Sequence, residues 1–217
     1  ETPVAPSAVL LEGHVSHVRP LVNYVMPRAL ETSEVPGIIE DFRKGAQNAK
    51  QAGFDGIEVH AANGYLFDQF LHDGTNLRTD QYGGSIENRA RLLLEVTDAV
   101  IQIWGADKVG IHLAPRGDSH KMIDSNPEAI FSYVAEQLDK RKIAFICTRE
   151  FEGADSLNPK LRKLFKGTYI GNEKFTFDIG EDAVVRGDVD AIAFGKDYIS
   201  NPDLVKRYEI KAALNAL

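Results

Sequence analysis

The chain has 217 residues, and 32 acidic against 25 basic side chains give it a net charge of −7. This balance argues against nucleic acid and anionic membranes as partners, because both attract basic surfaces. The chain has one cysteine, Cys147, so it cannot form an internal disulfide bond. This fits a reducing compartment, and we predict a cytoplasmic location. No apolar run approaches the roughly 18 residues that a membrane-spanning helix needs, so no membrane span is predicted.

The first 32 residues show no sustained periodicity and contain four prolines, so residues 1–32 are predicted to be an irregular connecting segment. The pattern changes at Ser33, after which apolar residues recur every three or four positions, as on one face of a helix. Pro36 stands in the first turn of this helix, where proline is tolerated, and Gly53 ends it. Residues 33–217 are interpreted as a single α/β domain.

Five short apolar runs alternate with helical patterns along this domain. The predicted strands cover residues 56–60, 109–113, 144–147, 169–170 and 191–194. The predicted helices after the first cover residues 85–105, 128–140, 157–165, 179–186 and 203–214. Such alternation predicts parallel strands with helical crossovers, either as an open doubly wound sheet or as part of a (β/α)8 barrel. The first strand lacks the GxGxxG fingerprint typical of the open sheet, which favours the barrel.

Polar side chains follow the first predicted strand at the place where barrel enzymes carry their chemistry. His60 and Asn63 are three residues apart, so both can direct N–H donors at one carbonyl oxygen and stabilise an enolate. Tyr65, two residues further on, can supply a proton to a neighbouring carbon. The alternative is structural: a hydrogen-bonded core histidine, an asparagine in a turn and a core tyrosine.

Two other segments stand out. Residues 78–89 (RTDQYGGSIENR) combine charges, a Gly-Gly turn and the helix cap Ser85, which together favour a structural ion-pair network. Residues 171–174 and 195–197 follow the last two strands, where barrels often bind phosphate through backbone N–H groups, although simple turns are the alternative. Histidines do not recur at HxxxH or HExxH spacing on a helix, so no metal site is predicted.

Three motifs resemble the Old Yellow Enzyme family of FMN-dependent ene reductases. Residues 54–66 (FDGIEVHAANGYL) are similar to its active-site strand, and residues 76–89 (NLRTDQYGGSIENR) to its most recognisable signature. Residues 193–196 (AFGK) with 201–204 (NPDL) resemble its final strand region. The resemblance covers nearly the whole chain in order, and it identifies the fold as a (β/α)8 TIM barrel of which this chain covers about strands 4–8.

The resemblance implies an FMN-dependent NAD(P)H oxidoreductase that reduces the activated C=C bond of an α,β-unsaturated carbonyl compound. It implies that His60 and Asn63 bind the substrate carbonyl and the flavin, and that Tyr65 is the catalytic proton donor. It places the other flavin contacts at His112, Asn172, Glu173, Gly195 and Lys196. NADPH or NADH is the implied reductant, and reduction of nitro compounds or nitrate esters is a further activity of some relatives.

The sequence departs from the family pattern in three places. His112 and Lys196 stand where the family usually has arginine, and the segments corresponding to strands 1–3 and to the C-terminal tail have no counterpart. Five strands cannot close an eight-stranded barrel, so a protein partner or the missing N-terminal half is expected to complete it. The alternative hypothesis is a catalytically inactive barrel fragment that serves as a structural or interaction subunit.

Overall fold

The structure is a computed structural model that describes residues 2–15, 17–117, 120 and 122–216. Short strands β1 (Val4–Ala5) and β2 (Arg28–Ala29) pair in parallel near the N-terminus. The sheet strands are β3 (Ile57–Ala61), β4 (Val109–Leu113), β5 (Phe145–Arg149), β6 (Thr168–Asn172) and β7 (Ala191–Ala193). The helices are α1 (Val35–Gln51), α2 (Leu66–Leu71), α3 (Ile86–Trp104), α4 (Pro127–Arg141), α5 (Asn158–Leu164), α6 (Phe177–Arg186), α7 (Lys196–Ser200) and α8 (Leu204–Glu209). No helix among the described residues has both the length and the apolar character needed to cross a membrane.

The sheet has the order β3-β4-β5-β6-β7, and all four pairings are parallel. Its order follows the chain order without reversal, which is the arrangement of a barrel wall and differs from a doubly wound sheet. Side chains alternate between the two faces of each strand, and the apolar set packs against the helices. The core includes Val59, Ile111, Ile146 and Tyr169 from four adjacent strands.

Helix ends agree with the local sequence signals. The backbone N–H of Asn88 donates to the Ser85 hydroxyl at the start of α3, and Gly105 with a φ of 84° ends the helix. Pro36 lies in the first turn of α1, as predicted. The predicted strand at residues 109–113 coincides with β4, and the other four predicted strands agree with β3, β5, β6 and β7 within a few residues.

The helix predictions were wrong at three places. The sequence pattern missed the six-residue α2 and the five-residue α7, and it placed one helix over residues 203–214, where α8 ends at Glu209. Lys211 has a left-handed φ of 52°, which terminates the helical path. The following chain turns back because the backbone N–H of Asn215 donates to the Asn201 side chain at 2.8 Å.

Arg78 fastens the N-terminal segment to the loop that precedes α3. Its guanidinium forms an ion pair with Asp80 at 2.5 Å and donates to the backbone carbonyls of Pro6 and Leu30. This is the structural role predicted for the charged segment 78–89. Because Arg78 ties both ends of the N-terminal segment, the residues between them are held close to the carboxyl end of β3.

Candidate active site

Strand register aligns three chemically active side chains on the inner face of the sheet, the face that turns away from the helices. His60 on β3 is the register partner of His112 on β4, and His112 is the partner of Cys147 on β5. The rings of His60 and His112 are 5.2 Å apart and nearly perpendicular. The side chains of His60, His112 and Cys147 therefore form one row across three neighbouring strands.

A tight turn directly after β3 brings Asn63 and Tyr65 to His60. Asn63 and Gly64 both have left-handed φ values, 59° and 75°, and the backbone N–H of Tyr65 donates to the Ala62 carbonyl. A side chain at Gly64 would meet His120 at 2.8 Å, so glycine is required there by both conformation and space. The turn reverses the chain so that both predicted side chains face the strand end.

The three predicted substrate-site residues converge. Asn63 Nδ2 lies 3.4 Å from His60 Nε2, and the His60 and Tyr65 rings are 5.3 Å apart. Burial, reinforced by the neighbouring His112, lowers the pKa of His60 below its ordinary value of 6.5, so its ring is neutral at pH 7. Two neutral N–H donors this close together can both reach a single oxygen acceptor.

Tyr65 faces a cleft of about 420 Å³. Leu11 and Tyr24 of the N-terminal segment line this cleft together with Asn63 and His120. Tyr65 is 64% exposed, so its phenol is accessible from the cleft. A second, mostly apolar cavity of about 330 Å³ adjoins it and shares the lining residues Val4, Leu11, Tyr24 and Gln69.

Two positioning residues were missed in the sequence analysis. The fully buried Asp68 accepts a hydrogen bond from the backbone N–H of Gly64 at 2.8 Å, and Gln69 donates to the Gly64 carbonyl at 2.6 Å. Both side chains therefore fix the turn that carries Asn63 and Tyr65. The available signal was an acidic residue in the first turn of a short helix, where it interacts favourably with the free N–H groups.

The remaining predicted cofactor residues lie at the ends of β6 and β7, apart from the His60 group. Asn172 Nδ2 donates to the Ala193 carbonyl at 2.8 Å, which joins the two strand ends. Glu173 has a left-handed φ of 89° and pairs with Arg149 at 2.9 Å, so its carboxylate is neutralised. Gly195 has open space where a side chain would stand, and Lys196 begins α7 directly after it.

These features fit the FMN that the resemblance implies. His112 Nε2 and Asn63 Oδ1 are buried without a hydrogen-bond partner, and such atoms in a native protein usually face a ligand or water. At the other end, the open backbone at Gly195 and the charge of Lys196 suit a phosphate. The polar ring of a flavin and its phosphate therefore have separate sets of candidate contacts on one edge of the sheet.

The chain is similar to curated proteins over most of its length. The chain is 46% identical over 201 residues to the putative 12-oxophytodienoate reductase 3 of Oryza sativa, which covers 88% of this chain and 53% of that protein. It is 44% identical over 200 residues to 12-oxophytodienoate reductase 2 of Arabidopsis thaliana, covering 88% and 54%. The chain thus spans about half the length of the curated relatives it matches.

Among solved structures, morphinone reductase in complex with tetrahydroNAD superposes with a TM-score of 0.93 at 45% identity, covering 99% of this chain and 61% of that chain. An old yellow enzyme homologue from Zymomonas mobilis superposes with a TM-score of 0.95 at 40% identity, covering 99% and 63%. The five-stranded sheet is therefore part of a (β/α)8 barrel. A family model for FMN oxidoreductases matches residues 2–215, and the chain belongs to the NADH:flavin oxidoreductase / NADH oxidase family.

Proposed function

We propose that this chain carries the substrate-activating part of an FMN-dependent NAD(P)H oxidoreductase that reduces the C=C bond of α,β-unsaturated carbonyl compounds. The observation that supports it most is the convergence of His60, Asn63 and Tyr65 at the carboxyl end of β3. This edge is where barrel enzymes place their catalytic groups. These three side chains carry no redox chemistry of their own. FMN, the cofactor that family membership implies, would supply it.

His60 and Asn63 are proposed to bind the substrate carbonyl oxygen. Their nitrogens are 3.4 Å apart, so one oxygen that faces both nitrogens from the cleft side can accept a hydrogen bond from each. Two such bonds withdraw electron density from the conjugated double bond and stabilise the enolate that develops during reduction. The neutral state of His60, favoured by its lowered pKa, leaves a proton on one ring nitrogen for this bond.

Tyr65 is proposed as the proton donor to the α-carbon. Its phenol lies at the cleft and next to His60, so a carbonyl held by His60 and Asn63 places the adjacent carbon within its reach. FMN, when bound, supplies the hydride that NAD(P)H provides. The residues proposed to hold it are His60, Asn63, His112, Asn172, Glu173, Gly195 and Lys196.

The adjoining apolar cavity supports a substrate with a hydrocarbon portion. It shares four lining residues with the cleft at Tyr65, and several of its walls come from prolines and valines of the N-terminal segment. Burying apolar surface there contributes about 25 cal/mol for each Å² removed from water. An enone with an alkyl substituent is therefore expected to bind more tightly than an unsubstituted one.

A Tyr65→Phe substitution tests the proposed proton donor. In the flavin-loaded protein, reduction of the flavin by NADPH is expected to be unchanged, because no phenol takes part in that half-reaction. Reoxidation by cyclohex-2-enone is expected to slow about 10²–10⁴-fold. Both half-reactions are followed by stopped-flow absorbance of the flavin.

Tyr133→Phe is the matched control, since Tyr133 lies on α4 in the helical layer and not on the inner face. It should leave both half-reactions at wild-type rates. Equal slowing of the two half-reactions in Tyr65→Phe would contradict the assigned role. A chain that takes up no FMN under any loading condition would contradict the cofactor assignment.

A second candidate, a scaffold role, is supported by the sheet edges. Among the described residues β3 pairs only with β4, and β7 pairs only with β6, so each presents an unpaired edge. Unpaired edges attract further strands. We propose that additional polypeptide, in this protein or in a partner, pairs with both edges. Retention of soluble assembly together with complete loss of flavin binding would favour the scaffold role over the enzyme.

A further inference from the structure

A cluster of metal-ligand side chains lies on the inner face of the sheet. Glu58 on β3, His112 on β4 and Cys147 on β5 project from three neighbouring strands. One ligand atom from each lies within 4.8 Å of the other two. The register explains this, because His112 pairs directly with Cys147, and Glu58 is two residues before the register partner of His112.

The separation of these atoms suits one ion. His112 Nδ1 is 3.5 Å from Glu58 Oε1. Atoms bound at about 2.1 Å to a tetrahedral ion stand about 3.4 Å apart. The Glu58 side chain is 37% exposed, so its carboxylate has room to move towards an ion bound by the other two residues. Cys147 is buried, so its position is fixed by packing.

The protein itself leaves these groups poorly satisfied. Cys147 is a buried free thiol, and the 3.5 Å between His112 Nδ1 and Glu58 Oε1 is longer than an ordinary hydrogen bond. Burial and the nearby Glu58 carboxylate raise the pKa of the Cys147 thiol to about 12, so it keeps its proton at neutral pH unless a cation is present. A thiol, an imidazole and a carboxylate whose ligand atoms lie within 4.8 Å of one another can all bind one shared cation.

We infer that Glu58, His112 and Cys147 form a binding site for a single divalent cation of the Zn²⁺ class. Thiolate and imidazole ligands select Zn²⁺ and similar ions over Mg²⁺ and Ca²⁺, which prefer oxygen ligands. Three protein ligands leave a fourth position for water. On binding, the S–H proton of Cys147 passes to the solvent and a metal–sulfur bond forms, so one proton is released for each ion.

This inference does not rest on the proposed reductase function. It uses two side chains, Glu58 and Cys147, that the proposed reaction leaves idle, and it is tested on protein without flavin. The two proposals meet only at His112, which is also a proposed flavin contact. An ion on His112 is therefore expected to weaken FMN uptake, and FMN to weaken uptake of the ion.

Titration of the flavin-free chain with Co²⁺ tests the site. Cys147 is the only cysteine in the sequence, so a thiolate-to-cobalt charge-transfer band can come from no other residue. We expect the band to saturate at one equivalent of Co²⁺, to disappear when Zn²⁺ is added, and to be accompanied by release of about one proton. Proton release is measured by calorimetry in two buffers of different ionisation enthalpy.

The ligands are tested one at a time. Cys147→Ser should abolish the band, and Glu58→Gln should weaken Co²⁺ binding by roughly tenfold or more. Glu136→Gln, an exposed position on α4, is the matched control and should leave the titration unchanged. Cys147→Ala serves as a second variant if the serine variant does not fold. Binding without the band, or equal Co²⁺ affinity in wild type and both cysteine variants, would overturn the inference.

Discussion

The two faces of the five-stranded sheet carry different kinds of side chain. On the face that packs against the helices, Val59, Ile111, Ile146 and Tyr169 are at most 4% exposed. On the inner face, the same strands present Glu58, His60, His112, Cys147 and Arg149. The first set is apolar apart from the Tyr169 hydroxyl, which donates to Asn158, and the second is polar and includes the buried, unpartnered His112 Nε2.

This difference separates stability from chemistry. Burial of apolar side chains is the main favourable contribution to folding, and it is concentrated between the sheet and its helices. Unpaired polar atoms are costly to bury, so a face that retains them is suited to a ligand that satisfies them. Substitutions on the helical side should therefore change stability, and substitutions on the inner face should change binding.

The largest effect on stability is expected from Arg89 in the helical layer. Arg89 on α3 forms a buried ion pair with Asp124, and it also donates to the Leu71 carbonyl. Arg89→Met would leave the Asp124 carboxylate buried without its cation, which costs about 3–5 kcal/mol. The free energy of unfolding is measured by urea denaturation with circular dichroism.

An exposed ion pair of the same layer provides the control. Arg141 on α4 pairs with Asp98 at 2.6 Å, and the Asp98 side chain is 49% exposed. Arg141→Met is expected to cost no more than about 1 kcal/mol, because water solvates the remaining carboxylate. Similar losses for the two arginine variants would show that burial does not distinguish the pairs.

Two adjacent residues of β4 give the next largest and most direct comparison. Ile111 points to the helices and is fully buried, so Ile111→Ala should cost about 2–5 kcal/mol. His112 points to the inner face, and its Nε2 has no partner to lose. Its Nδ1 lies 3.5 Å from the Glu58 carboxylate, but that side chain is 37% exposed and water can solvate it, so His112→Ala should cost less than about 1 kcal/mol. A larger loss for His112→Ala than for Ile111→Ala would invalidate the division between the faces.

The sequence was sufficient to predict the helical face of the sheet. Apolar runs such as residues 109–113 mark strands because side chains on that face are buried in every strand. Ser85 and Gly105 mark the ends of α3 because caps act on the nearest turn of the chain. These signals are local, and they remain visible without knowledge of the neighbouring elements.

The inner face was only partly predictable. His60, Asn63 and Tyr65 are close in sequence, so their convergence needed only one turn. The grouping of Glu58, His112 and Cys147 depends on the register of three strands separated by long helices, and no spacing along the chain reveals it. For the same reason the end of α8 was misplaced, since a contact between Asn201 and Asn215 decides it.

The smallest effect concerns the pH dependence of stability at His60. Burial lowers the pKa of His60 in the folded state below 6.5, so the unfolded chain binds more protons near that pH. Stability contributed by the neutral ring is therefore complete above pH 6.5 and is lost as the pH falls through the folded-state pKa. Wild-type protein should lose more of its unfolding free energy between pH 7.5 and 5.5 than a His60→Asn variant does.

Urea midpoints at the two pH values measure this difference, and His14→Asn controls for removal of an exposed histidine. Carboxylates that protonate over the same range contribute equally to wild type and variants, so the comparison isolates His60. Identical pH dependence in wild type and His60→Asn would mean that the ring is solvated in the folded protein. That result would also weaken its proposed role as a neutral donor, because a solvated imidazole near its ordinary pKa is partly cationic at neutral pH.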